Sequence, residues 1–490
     1  MTVKPLISSP THRLLAQQAL SRAAGAPLIT GNAVELLIDA AAHYEAWLKA
    51  IRGATQRVLL ENYIIRDDEV GREFRDALTE RAKAGVMVAV ITDWAGCLGQ
   101  SRSSFWNPLR AVGGHVHLFN PPQLGESFGW LSRDHRKLLV VDGVQGFLSG
   151  VCISAKWLGD ASRSVPPWRD TGVAIRGPAV AEIEAAFQQS WSGVTSPALP
   201  AFSAVAEPID PVGSTDVRII ATQPASASMY RLDQLIAAMA TKTLWLTDAY
   251  FVGVSPYVQA LVAAARDGVD VRLLVPGSSD IPVVAGMSRA GYRPLLKAGI
   301  RVFEWNGSML HAKTAVADGQ WARVGSSNLN IASWLSNHEI DVAVEDEAFA
   351  SQLAAQYERD LENATEIVLV PRQLRNRTTE KVRSSEVRPP RVRHGGGSSS
   401  RAAVGALRIA NSVGAVLTNR RVLGDTSIGP MLAGSLALVA LTIVAILRPA
   451  WVAWPVAVVA AWFGLNLAVA SWRLRNRQRQ RTLDVDDVDA

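Results

Sequence analysis

One stretch of this chain is written twice. His135-Arg136-Lys137-Leu138-Leu139-Val140-Val141-Asp142 and His311-Ala312-Lys313-Thr314-Ala315-Val316-Ala317-Asp318 share the pattern His-x-Lys followed by Asp, 176 positions apart. The register runs on without a gap from Ser149-Gly150-Val151-Cys152 to Gly325-Ser326-Ser327-Asn328. A single His-x-Lys carries little weight, but two copies in one long register describe a duplicated unit. The apolar residues after each Lys predict a strand, on which side chains at i and i+2 share a face. His135 and Lys137 then project together, as do His311 and Lys313. Asp142 and Asp318 stand an odd number of positions beyond their lysines and are expected at the strand end, holding structure. Packed about a pseudo-twofold, the two faces put two imidazoles and two ammonium groups in one cleft, which suits a phosphodiester. One imidazole attacks phosphorus, the other protonates the leaving oxygen, and the lysines neutralise the non-bridging oxygens.

The repeat extends to whole subdomains. Helical spacing over residues 34–52, a strand at Val58–Ile65, a helix at Gly71–Ala84 and a strand at Val86–Thr92 are predicted in the first copy. In the second, Leu244–Phe251 answers the first strand, with Tyr250 in the place of Tyr63 and Asp248 in that of Glu61. A helix at Pro256–Arg266 and a strand at Val269–Val275 follow. Gly114–Asn120 and Gly299–Asn306 precede the two motifs. Strand alternating with helix argues for parallel βαβ units.

Further stretches match between this chain and a known family: Gly31-Asn32 leading into Val34-Glu35-Leu36-Leu37, Leu60-Glu61-Asn62-Tyr63-Ile64, Trp168-Arg169-Asp170-Thr171, Gly177-Pro178-Ala179-Val180 and Asn337-His338-Glu339. With the paired motifs, residues 30–371 resemble the phospholipase D superfamily and, within it, bacterial cardiolipin synthases. The resemblance implies an α/β fold of two pseudo-symmetric phospholipase D-like βαβ sandwich halves sharing one cleft. It implies a phosphatidyltransferase that forms cardiolipin from phosphatidylglycerol and a second phospholipid through a phosphohistidine, with no cofactor and no metal. Phosphatidylethanolamine is an open alternative as a substrate. The catalytic motif residues are then His135, Lys137, Asp142, His311, Lys313 and Asp318. His135 is assigned as nucleophile and His311 as general acid, later base; the symmetry of the motifs leaves the reverse open. Asp170 and Glu339, each further along the chain than a motif histidine, match the family's orienting carboxylates. Ser326 and Asn328 match its phosphate-pocket positions. The first copy departs, with Cys152 where Asn is expected and Ser149-Gly150 for the usual Gly pair. A thiol is a poor substitute for an amide donor, so either the first half binds phosphate with fewer contacts, or Ser154 or a backbone group compensates. A hydrolase releasing phosphatidic acid and a nuclease on the same fold are the rival functions.

Charge placement separates these rivals. The chain carries +6 overall, but +11 falls after residue 371, which leaves residues 1–371 at −5. A nucleic-acid enzyme shows a basic footprint on its catalytic part; here no nucleic acid is expected, and the basic segment suits an anionic membrane surface. Two uncharged runs, Ile428–Leu447 and Ala450–Trp472, are each long enough to cross the roughly 30 Å hydrocarbon core. They predict two transmembrane helices over 428–472, with arginines on both outer flanks in the cytoplasm. The catalytic part is thus expected on the cytoplasmic side of a bacterial inner membrane. The expected organisation is a lead-in at 1–29, halves at 30–195 and 214–371 with a Pro-rich connector at 196–213, a basic linker at 372–402, a juxtamembrane segment at 403–427, the hairpin, and a tail at 473–490. Two cysteines, Cys97 and Cys152, form no metal or disulfide pattern. His115 and His117 share a strand face, but no Cys or carboxylate stands at ligand spacing, so no metal site is expected there.

Overall fold

The structure, a computed structural model, describes residues 10–122, 132–193, 209–369 and 420–423, with isolated positions between 442 and 465. The first half contributes β1 (Ile29–Ile38), β2 (Arg57–Asn62), β3 (Met87–Asp93), β4 (His115–Phe119), β5 (Lys137–Val141), β6 (Gln145–Ser149) and β7 (Thr171–Arg176). The second contributes β8 (Thr215–Thr222), β9 (Thr243–Thr247), β10 (Asp270–Pro276), β11 (Arg301–Trp305), β12 (Thr314–Ala317), β13 (Trp321–Gly325), β14 (Glu339–Glu345) and β15 (Ala364–Leu369). Strand order is β1-β7-β6-β5-β2-β3-β4 in one half and β8-β14-β13-β12-β9-β10-β11 in the other, with β15 added beside β11. The duplication read from the motifs is therefore a duplication of topology.

The halves differ from the two βαβ sandwiches expected. β1 pairs antiparallel with β8, through Ile29↔Val217 and Asn32↔Thr215, so one mixed sheet runs through both halves. Parallel pairing is confined to β2-β3-β4 and β9-β10-β11 among β1 to β15. The motif strands run antiparallel to β2 and β9. The three residues between β5 and β6 can join only antiparallel neighbours, because a parallel pair needs a crossover of about a dozen residues or more.

Helices cover the sheet by burying one side. Trp47 and Ile51 of helix Asp39–Gly53 and Phe74 and Leu78 of helix Glu69–Lys83 pack with Val58, Leu60 and Leu139, each fully buried side chain contributing about 1.5–3 kcal/mol. Asp68 caps the second of these helices, accepting from Gly71 N at 3.0 Å. The helix expected from residue 34 starts only at Asp39, because Val34–Ile38 lies in β1 and pairs residue by residue with Ile175–Thr171 of β7. Tertiary pairing there overrides local helical spacing. Similarly, β2 and β9 end short of the predicted Ile65 and Phe251. Asn62 Oδ1 accepts from Ile64 N at 3.3 Å and Asp248 Oδ2 from Tyr250 N at 3.2 Å, local turns that compete with the ladder. Helix Pro10–Ala24, in the lead-in, puts Leu20 and Ala24 into the second half's core beside Met229 and Leu232.

The linker, the juxtamembrane segment, both predicted transmembrane helices and the tail lie outside the described residues, apart from strand Arg420–Leu423 and the isolated positions. Among the described residues no helix is long and apolar enough to cross a membrane. Most of the Pro-rich connector also lies outside them.

Candidate active site

Neither motif histidine sits in its own strand: β5 begins at Lys137 and β12 at Thr314. Each is bridged to the opposite half instead. His135 N donates to His338 O at 2.9 Å and His338 N to Arg133 O at 2.8 Å. His311 N donates to Arg169 O at 2.7 Å and Arg169 N to Met309 O at 2.9 Å. Because His338 precedes Glu339 and Arg169 precedes Asp170, these bridges set each imidazole beside a carboxylate of the other half. His135 Nδ1 lies 2.8 Å from Glu339 Oε2, and His311 Nδ1 lies 2.8 Å from Asp170 Oδ2. Chain order pairs each histidine with the carboxylate that next follows it; the structure crosses them. With an ionised carboxylate at Nδ1, that nitrogen carries the proton and Nε2 is left to react.

Both carboxylates are fully buried, and their other contacts show why they stay ionised. Burial alone raises the Asp170 carboxyl, but the His311 ring, its hydrogen bond and the Lys313 ammonium outweigh it and hold the group below its usual range. Asp170 also accepts from Trp157 Nε1 at 3.1 Å and Thr171 N at 2.9 Å. Arg169 does not compete for this carboxylate, since its guanidinium donates to the Asp170 backbone carbonyl and pairs with Asp360 at 2.8 Å. For Glu339, burial again raises the carboxyl, and His135, Lys137 and Ser326 together bring it below its ordinary value. Ser326 Oγ donates to Glu339 Oε2 at 2.6 Å and accepts from Ile340 N at 2.9 Å. That corrects its expected place in the phosphate pocket: the hydroxyl is spent on the orienting carboxylate. At the matching first-half position, Gly150, an added Cβ would lie 2.2 Å from Asp170 Oδ1, so glycine there makes room for the carboxylate.

The cations complete the cleft. Lys137 Nζ donates to His135 O at 2.6 Å, and Lys313 Nζ donates to His311 O and lies 3.0 Å from His311 Nδ1. Burial, helped by Lys137, pushes the Lys313 ammonium down to about 8 against the pull of Asp170. Burial and Lys313 bring His311 down to about 4, against Asp170, and burial with Lys137 lowers His135 against Glu339. Each motif's lysine acts on the other motif's histidine, so all four groups face one cleft. Both imidazoles are thereby biased toward the uncharged form. Aromatic rings wall the cleft: Tyr63 stands 4.9 Å from His135, and Trp157, Trp168 and Tyr250 stand 5.5, 5.6 and 5.8 Å from His311. Trp157 and Arg136 had no sequence signal. Arg136 is buried and ties the first motif to Ala186 O, Thr222 O and Glu339 O. The tyrosines were legible as a repeated position, though their function was not.

Asp142 and Asp318 lie away from the reacting groups, as parity indicates. Asp142 accepts from the backbone N–H groups of Thr55, Gln56 and Arg57 and from the Thr55 hydroxyl, all within 2.9 Å. Asp318 repeats this at Thr241, Lys242 and Thr243. Burial opposes these bonds, yet they keep both carboxyls below their ordinary value. Each aspartate thus fastens its motif strand to the start of β2 or β9. Asn328 Oδ1 has no partner among the described residues, which leaves that amide available to a ligand. Its counterpart Cys152 is a free, buried thiol that burial raises to about 11. Ser154 does not compensate, since its hydroxyl donates to Asp68 Oδ2 at 2.8 Å. His115 and His117 lie on β4 against Trp191, at 6.4 and 4.4 Å. Among the described residues no group of three or more His, Cys, Asp or Glu is placed to hold a metal ion.

A family profile described as "Cardiolipin synthase, PLD-like domain" matches residues 233–361. The chain is 34% identical over 354 residues to cardiolipin synthase A of Pseudomonas aeruginosa, covering 71% of each chain. It is 31% identical over 348 residues to a cardiolipin synthase of Alkalihalophilus pseudofirmus, covering 70% of this chain and 68% of that one. Among solved structures, phosphatidylserine synthase of Haemophilus influenzae superposes with a TM-score of 0.56 at 15% identity, over 72% of this chain and 91% of that chain. That likeness is one of fold. The crossed histidine–carboxylate pairs lie within the paired-motif region that defines the resemblance, and at this identity and coverage the chain belongs to the cardiolipin synthase family of phospholipase D-like proteins.

Proposed function

We propose that the protein transfers a phosphatidyl group from phosphatidylglycerol to a hydroxyl of a second phospholipid, forming cardiolipin. The observation that carries this reading is the pair of imidazoles, each held through Nδ1 by a carboxylate of the opposite half, with two lysines in the same cleft. His135 Nε2 attacks phosphorus as the bond to the departing glycerol breaks, and His311 gives that oxygen its proton. The hydroxyl of the second lipid then attacks phosphorus, the P–N bond breaks, and His311 takes the hydroxyl proton. A phosphodiester brings one negative charge into a cleft whose lysines depress the histidines, which favours the protonated form of His311 needed for the first step. Splitting the reaction lets one cleft serve two alcohols in turn. Lys137, Lys313 and the Asn328 amide neutralise and orient the phosphate oxygens, so EDTA is expected to leave the rate unchanged.

The basic segment after residue 371 and the uncharged runs over 428–472 support attachment to an anionic bilayer with the catalytic part on its cytoplasmic face. The test is lipid product analysis with purified full-length protein and labelled phosphatidylglycerol. Cardiolipin and glycerol are expected; phosphatidic acid without cardiolipin would make the enzyme a hydrolase, and cleavage of DNA or RNA with no action on lipid would make it a nuclease.

A further inference from the structure

The cleft is not symmetric at its mouth. On the His311 side, Lys156 of the first half reaches across to Asp280 of the second, with Nζ 3.5 Å from Oδ2. The same ammonium stands 4.2 Å from the centre of the Trp168 ring. Tyr250 donates its hydroxyl to Asp280 Oδ1 at 2.8 Å. Trp168 and Tyr250 are also the rings that flank His311, at 5.6 and 5.8 Å. An aromatic face, a carboxylate and an oriented hydroxyl around one positive nitrogen are the chemistry by which ammonium ligands are recognised. Here the nitrogen belongs to the protein. In the gapless register of the two copies the position matching Lys156 is Ala332, so this ammonium is supplied on one side only. Lys156 and Asp280 side chains remain 37% and 32% exposed, and ion pairs that wet contribute little to stability. Joining the two halves is therefore a weak reason for the arrangement.

We infer that Trp168, Tyr250 and Asp280 form an ammonium subsite for the leaving alcohol, and that Lys156 fills it, so that the enzyme takes donor lipids with uncharged head groups and refuses those whose leaving alcohol carries an ammonium. The inference rests on the reading of His311 as the group that protonates the leaving alcohol. An ethanolamine head group carries its ammonium two carbons from the ester oxygen, and that oxygen must lie against His311. Its charge then falls among the rings and carboxylate that Lys156 already occupies, and the two ammonium groups repel. Glycerol meets neither obstacle.

Removing the lysine opens a second reaction. His135 attacks the phosphorus of phosphatidylethanolamine, the bond to ethanolamine breaks and His311 protonates its oxygen. Phosphatidylglycerol then resolves the phosphohistidine to cardiolipin and returns the proton to His311.

The experiment uses full-length enzyme in detergent micelles of phosphatidylglycerol and phosphatidylethanolamine labelled in its head group, with ethanolamine and glycerol release measured together. Wild type is expected to release glycerol and almost no ethanolamine. Lys156→Ala should raise ethanolamine release about tenfold, the factor expected when a cation–π contact and a wet ion pair become available to substrate, while still making cardiolipin from phosphatidylglycerol alone. Lys156→Ala/Asp280→Asn should lose most of that gain. Lys156→Met, which keeps bulk without charge, should gain less than Lys156→Ala. Ethanolamine release by wild type at a rate comparable with glycerol release overturns the inference, as does Lys156→Ala with intact glycerol release and no gain. Either result leaves phosphatidyl transfer standing. Loss of cardiolipin formation in a folded Lys156→Ala would show instead that the lysine contacts phosphatidylglycerol. Absence of both alcohols in wild type refutes the transferase reading itself, and the inference with it.

Discussion

The crossed wiring of the site predicts an effect that chain order would assign the other way round. Asp170→Asn leaves the size of the side chain unchanged and removes its charge. The carboxylate holds His311 Nδ1 at 2.8 Å with both groups buried. A hydrogen bond to a charged group contributes about 1.5–3 kcal/mol, a factor of roughly 10 to 150. An amide that turns its NH2 toward Nδ1 also stabilises the wrong tautomer, which forfeits up to the roughly 10²- to 10⁴-fold contribution of acid–base catalysis. A loss in kcat of about 10²- to 10⁴-fold is therefore expected, with little change in KM. The step affected is the sharper readout. With labelled phosphatidylglycerol and an alkaline quench, Asp170→Asn should prolong the life of label on His135, because His311 can no longer take the acceptor's proton. Glu339→Gln should abolish that label, because it disorients His135. Peptide mapping of the labelled histidine guards against a reversed assignment of roles: label on either histidine must vanish when the carboxylate of the opposite half is changed. Label on His135 that vanishes in Asp170→Asn and survives in Glu339→Gln would refute the crossed arrangement.

Ser326→Ala removes the hydroxyl that steadies Glu339, and kcat is expected to fall about tenfold, in line with one hydrogen bond to a charged group; an unchanged rate would mean that His135 needs no such support. Asp142→Ala and Asp318→Ala should each cost about 1–3 kcal/mol of stability in thermal melts, while the folded enzyme keeps its kcat. Because these two carboxyls are depressed in the folded state, their stabilisation is present above the unfolded carboxylate value and is lost as pH falls through the folded one. Wild-type melting temperature should therefore drop on acidification below about pH 4 more steeply than that of an Asp142→Asn/Asp318→Asn variant. Deleting residues 403–490 should release much of the protein from membranes while activity on detergent-dispersed phosphatidylglycerol survives, since anchoring acts through effective concentration. A well-folded truncation that is inactive on dispersed lipid would place residues 403–490 in the active machinery.

What the sequence determined by itself is what depends on local period and on repetition. The two His-x-Lys motifs, the strand–helix alternation and the off-face position of Asp142 and Asp318 follow from side-chain parity and from a register that repeats without a gap. Tertiary structure decided whatever joins residues far apart in the chain. The exchange of carboxylates between halves follows from the backbone bridges His135–His338 and Arg169–His311, which no spacing encodes. Ser326 could be matched to a pocket position, but only packing shows that its hydroxyl meets Glu339 before it can meet phosphate. The strand Val34–Ile38 read as helix because its apolar spacing fits both periods, and its pairing with β7 settled the matter. Lys156 carried no motif at all. Its meaning comes from a ring twelve positions along the chain and a carboxylate on the opposite half, brought together because two copies of one fold close on a shared cleft and only one copy carries a lysine there.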